Sequence, residues 1–104
     1  MNPGNQMKHS QPLPTARGIR RACGKELYRA RKKLGGYIAA DLVAQADDLY
    51  YKKVLLNLPY IVENRSNRKL LADWFDDNVC GEIAELWSVE PKALAKAFRD
   101  SFGG

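Results

Sequence analysis

The segment Val79–Gly103 constrains this chain more than any other stretch. Its apolar residues recur at helical spacing as far as Trp87, lapse at Ser88-Val89-Glu90, and resume behind Pro91. Proline lacks an N–H and has its φ pre-set, so it fits the first turn of a helix. The pattern predicts two helices joined by a tight turn. Ala84 supplies a small residue where the second helix crosses the first. Ile83, Trp87, Val89, Leu94 and Ala97 stand at the offsets that point into the angle between them. The position before the turn's apolar residue often needs positive φ, which favours glycine. Here it is Ser88. Residues 79–103 are therefore expected to form a helix-turn-helix-like unit.

The upstream chain also reads as helical. Ile19, Cys23, Leu27, Ala30 and Leu34 recur in steps of three and four, a narrow stripe on a helix over Arg17–Leu34. Gly35-Gly36 ends it, because glycine accepts the left-handed cap. Tyr37–Lys53 carries a broader face of Ile38, Leu42, Val43, Ala46, Leu49 and Tyr50, which predicts a central place in the core. Pro59 disfavours helix at Leu58 and forces a break there. Tyr60-Ile61-Val62 is a turn of helix or an extended linker. Ser66 or Asn67 can cap a further helix, Arg68–Asn78, with Leu70, Leu71, Trp74 and Phe75 on one side. That helix has its charges reversed against the macrodipole, with Arg68 and Lys69 at its start and Asp73, Asp76 and Asp77 at its end. The expectation is an all-α fold of about five helices in one small domain, residues 17–104. Residues 1–16 contain Pro3, Gly4, Pro12 and Pro14 and few large apolar side chains, and are expected to form a disordered arm.

Several classes of function find no support in the sequence. No run approaches the roughly 20 apolar residues of a membrane span. No apolar leader stands at the N-terminus, so a cytoplasmic location is expected. Cys23 and Cys80 lack metal-ligand spacing and read as reduced, packed thiols. The single histidine, His9, falls in the arm, where nothing would hold it beside a catalytic partner. There is no glycine-rich phosphate loop and no nucleophile with a base. Asp76 and Asp77 are adjacent on a helix and point about 100° apart. Neither catalysis, a cofactor nor a metal site is expected.

The charge is uneven. The net charge of +5 conceals nine Lys/Arg against Glu26 alone in residues 1–36, and eight Lys/Arg against eleven acids in residues 37–104. Arg17, Arg20, Arg21, Lys25, Arg29 and Lys32 all lie on the first helix, behind or beside its apolar stripe. Such a cationic back can contact phosphates, meet an acidic protein surface, or remain solvated.

Ala84, Ser88-Val89, Pro91, Leu94, Lys96, Phe98-Arg99 and Phe102-Gly103 together resemble the C-terminal helix-turn-helix of AraC-type transcription activators. The likeness covers about 21 residues. Those activators carry two such motifs, whereas one is visible here, and nothing upstream suggests an effector domain. The resemblance implies that Lys92, Lys96 and Arg99 face a DNA groove. Against this, residues 73–104 hold three basic residues and seven acids, a poor balance for a polyanion partner. The expected function is a small duplex-DNA-binding regulator, gripping phosphates with its first helix and pairing as a homodimer. The alternative is a non-enzymatic adaptor or inhibitor whose basic helix docks on an acidic protein.

Overall fold

The computed structural model describes residues 13–103, and every described regular element is helical. The expected arm falls mostly outside the described residues. Helix α1 spans Ala16–Leu34, with Thr15 as its cap: the Thr15 hydroxyl oxygen accepts from Gly18 N at 3.0 Å. Ile19, Cys23, Leu27 and Ala30 are buried, as the stripe predicts. Gly35 and Gly36 both take positive φ, 72° and 78°, and stop the helix.

Helix α2 spans Ala40–Leu56, three residues later than expected at its start. The two glycines leave the chain extended through Ala39, whose carbonyl accepts from Leu42 and Val43 N, so Tyr37 stays outside the helix and 86% exposed. Only Ala46, Tyr50 and Val54 of α2 are fully buried. The expected central role of this helix is not met, because much of its broad apolar face is only half covered.

Helix α3 spans Leu58–Glu63 and begins at the proline rather than being broken by it. Pro59 sits in the first turn, where its missing N–H costs nothing. The break itself falls at Asn57.

Helix α4 spans Arg68–Phe75, capped by Asn67, which accepts from Leu70 N at 3.1 Å. It does not end there. A π-helical turn, Asp76–Cys80, leads without interruption into α5, Gly81–Trp87, because Asp76 and Gly81 both keep right-handed helical dihedrals. The apolar positions explain the inserted turn. Phe75, Val79, Ile83 and Trp87 follow one another in steps of four and are all buried. Each such step overshoots a helical turn by about 40°, and one extra residue absorbs most of the accumulated drift. The Asn78 side chain donates to Trp74 O at 2.9 Å beside the irregularity. Asp76 and Asp77 therefore do not lie at a helix C-terminus, and that half of the expected conflict with the macrodipole does not arise; Arg68 and Lys69 do open the helix, as expected.

Helix α6 spans Pro91–Phe102 and ends at Gly103, φ 92°. With α4 to α5 taken as one long helix, the described chain holds five helices. Ser88 adopts φ 57°, ψ 44°, and Val89 N donates to Ala84 O at 3.0 Å, the six-residue closure of a Schellman turn. The turn thus has the geometry a glycine would favour, with serine in its place. Cys80 Sγ donates to Pro91 O at 3.3 Å, which pins the two arms of the unit together.

The core is organised around α6. Its most extensive neighbour is α1. Phe75 of α4 stacks face to face on Phe98 of α6 at 3.7 Å between ring centres, and Tyr50 of α2 meets both rings edge-on. Trp87 Nε1 donates to Leu42 O at 3.0 Å, so the one polar atom of that buried ring is satisfied across the α2–α5 contact.

Candidate nucleic-acid interface

The outward strip of α6 is narrow. Leu94, Ala97 and Phe98 are buried, while Pro91, Lys92, Ala93, Lys96 and Asp100 are exposed. Lys96 Nζ lies 2.9 Å from Asp100 Oδ2 one turn on, an exposed surface pair of small energetic weight. Lys92 is exposed on the same strip.

Arg99 does not join them. Its guanidinium turns back onto α4 and the π turn, donating to Asp73 Oδ1 at 2.7 Å and Asp76 Oδ2 at 3.3 Å. The hydrogen bond from Arg99 holds the Asp73 carboxyl below the usual carboxylate range. Asp73 correspondingly raises the Arg99 pKa further. The expected groove-facing role of Arg99 therefore gives way to a structural one. Reading from the sequence alone, Asp73 and Asp76 belonged to another helix, and nothing in their spacing linked them to Arg99.

On α1, Arg17, Arg21, Lys25, Arg29 and Lys32 are exposed as expected. Arg20 is partly engaged: it lies 3.4 Å from Asp48 Oδ1 and its guanidinium carbon sits 4.0 Å over the Tyr51 ring. It fastens α1 to α2 while its side chain stays 53% exposed. Lys33 and Arg68, not singled out from the sequence, stand among the exposed cations beside α6.

The packing of α1 along α6 brings the two basic sets together. One shallow depression is lined by Arg29, Lys32 and Lys33 of α1 with Asp100 and Ser101 of α6. The next is lined by Asp76, Pro91, Lys92, Ala95, Lys96, Arg99 and Asp100. Asp100 borders both, so the cations of α1 and the lysines of α6 flank one strip of surface. Four of the seven acids of residues 73–104 are paired in place: Asp73 and Asp76 by Arg99, Asp73 also by Lys69, Glu82 by Lys53 at 2.6 Å, and Asp100 by Lys96. Lys96 and Arg99 already stand in the charge count of residues 73–104, so only Lys53 and Lys69 offset it from outside, and the segment stays acidic.

Among the described residues, no group of three or more His, Cys, Asp or Glu is placed to hold a metal ion, and no helix is long and apolar enough to cross a membrane. Burial pushes the Cys23 thiol up to about 12 and the Cys80 thiol up to about 11, so neither is a nucleophile near neutral pH. No protein-family model matches the chain, and neither a curated protein nor a solved structure is found similar to it.

Proposed function

We propose that this protein binds duplex nucleic acid, as a small DNA-binding regulator, through a composite surface of α1 and α6. The observation that carries the reading is the shared border at Asp100, where Arg29, Lys32 and Lys33 meet the strip bearing Lys92 and Lys96. Two packed helices are about 20 Å across, whereas the major groove is about 12 Å wide. Only α6 can approach the base edges; α1 then lies over the flanking phosphates. With Lys92 and Lys96 as the groove-side donors, base reading is sparse, and phosphate contacts supply most of the affinity. Pairing as a homodimer would double both sets of contacts.

Binding of three phosphates by Arg29, Lys32 and Lys33 corresponds to a slope of log K against log salt of about −2.7. The deciding experiment titrates duplex DNA at two salt concentrations against the intact protein, a triple Arg29/Lys32/Lys33→Glu variant, and a double Lys92/Lys96→Glu variant. Loss of affinity in both variants is expected. No binding by the intact protein at low salt would dispose of the reading.

A second reading, a non-enzymatic adaptor or inhibitor whose basic α1 docks on an acidic protein surface, is favoured by the exposure of Arg17, Arg21, Lys25, Arg29 and Lys32 along that one helix. It predicts that the same charge reversals leave nucleic-acid affinity at background and abolish capture by an acidic protein surface.

A further inference from the structure

An apolar recess of about 220 Å³ opens among α1, α2, α3 and α4, lined chiefly by Ile19, Tyr50, Val54, Ile61, Leu71 and Trp74. A cavity of about 150 Å³ holds benzene, and drug-sized ligands take upwards of about 300 Å³. The recess therefore suits a short alkyl chain or a bicyclic ring. The nucleic-acid surface does not use it.

A second recess of about 290 Å³ adjoins the first and differs in character. Lys25, Arg29 and Arg68 line it. Ala22, Glu26 and Phe102 line both recesses, so the two share one wall. The Arg68 guanidinium carbon sits 4.2 Å over the Phe102 ring, which fixes a planar cation at the junction. Glu26, the acid in that wall, is already engaged: its carboxyl accepts a hydrogen bond from the Tyr50 hydroxyl. Arg65 adds a cation to the apolar lining. An apolar recess alone would admit any hydrophobic molecule. Cations gathered at its wall select the sign of the head group, and guanidinium forks match carboxylate, sulfonate and phosphate oxygens.

We propose that the two recesses form one site for a small anionic amphiphile, its apolar part between α1 and α4 and its head group on Lys25, Arg29 and Arg68. The site shares Arg29 with the proposed phosphate contacts and none of the helix-turn-helix lysines, and its test at Ala22 and Arg68 leaves Arg29 intact, so the two proposals fail separately.

The test uses the full chain with four probes: octanoate, 8-anilinonaphthalene-1-sulfonate, octyltrimethylammonium and octanol. Calorimetry or tryptophan fluorescence reads binding, since Trp74 lines the recess. Octanoate and the sulfonate should bind saturably, one per chain, at least tenfold tighter than octyltrimethylammonium. Ala22→Phe, at an exposed position of the shared wall, should weaken both anions at least tenfold. Arg68→Glu should weaken the anions at least tenfold and leave octanol unchanged. Both sites are exposed, and circular dichroism checks that each variant keeps its helix content. Absence of saturable anion binding overturns the proposal. So does equal affinity for the cationic probe, or insensitivity of the anions to both folded variants.

Discussion

Arg99 and Asp73, 26 residues apart, meet at 2.7 Å and tie the second helix of the helix-turn-helix-like unit to the helix that precedes it. Asp76 in the π turn completes the clasp. The bond removes one cation from the outward face of α6 and fixes the angle at which Lys92 and Lys96 are presented.

Removing Arg99 should therefore act on stability rather than on binding. Arg99→Ala should lower the Tm by a few degrees and leave the low-salt affinity for duplex DNA little changed. The Lys92→Ala/Lys96→Ala double variant should do the reverse, weakening binding and relaxing sequence preference with an unchanged Tm. Thermal melts and salt-dependent titrations on the same samples separate the two.

The clasp also has an acid limit. Asp73 and Asp48 both have folded-state pKa values below their ordinary one, Asp73 through the hydrogen bond from Arg99 and Asp48 through that from Lys52. Their contribution is present above the unfolded carboxylate range, about pH 4, and is lost as pH falls through the lower folded values. Glu26 behaves oppositely. Burial raises its pKa despite the Tyr50 hydrogen bond, so its contribution is full below the unfolded value and is lost as pH rises through the folded one. Glu26→Gln should flatten the fall in stability that sets in as pH rises above the unfolded glutamate value, about 4.3. Asp73→Asn should reduce the loss below about pH 4. Urea midpoints across pH measure both.

Ser88 holds a left-handed conformation that costs a residue with a Cβ about 1 kcal/mol. Ser88→Gly should raise stability by up to that amount, less the added freedom of glycine in the unfolded chain. Ser88→Val should lower it by more, since a β-branched residue is a poor fit at positive φ. Urea denaturation of the two variants gives the sign directly.

The stacked pair Phe75–Phe98 lies at the centre of the core, each ring 1% exposed or less. Phe98→Ala should cost about 3–5 kcal/mol. Leu56→Ala, at a side chain 80% exposed, should change stability by no more than about 0.5 kcal/mol. Chemical denaturation followed by tryptophan fluorescence compares them.

Both thiols should be silent toward a disulfide reagent at pH 8 while the protein is folded, because burial raises Cys23 to about 12 and Cys80 to about 11. Both should react at once in guanidinium chloride. Rapid labelling of the native state would show that α1 or the π turn opens readily.

Much of the architecture was legible in local pattern. The stripe from Ile19 to Ala30 placed the buried face of α1, because burial of a surface helix is set by residues three and four apart. Gly35-Gly36 and Pro91 marked an end and a start through backbone constraints that act within a few residues. Val89 and Ala84 located the turn even though Ser88 replaced glycine, since the Schellman closure depends on the flanking geometry as much as on the cap residue. The start of α2 was misplaced because positive φ at both glycines leaves Tyr37–Ala39 extended, a consequence that an apolar count does not reveal. The π turn was invisible for a related reason: its cause is drift accumulated over four buried residues, not any one of them.

The candidate surface divides in the same way. Its cations on α1 and the lysines of α6 were determined by the sequence, through the face each helix must leave exposed. Which of those cations share a surface was not. That depends on α1 lying along α6, which brings Arg29, Lys32 and Lys33 to Asp100, and on Asp73 lying across from Arg99, which withdraws that guanidinium from solvent. Local periodicity assigns a side chain to the inside or the outside of its own helix. Only packing between helices distant in sequence decides what the outside will meet.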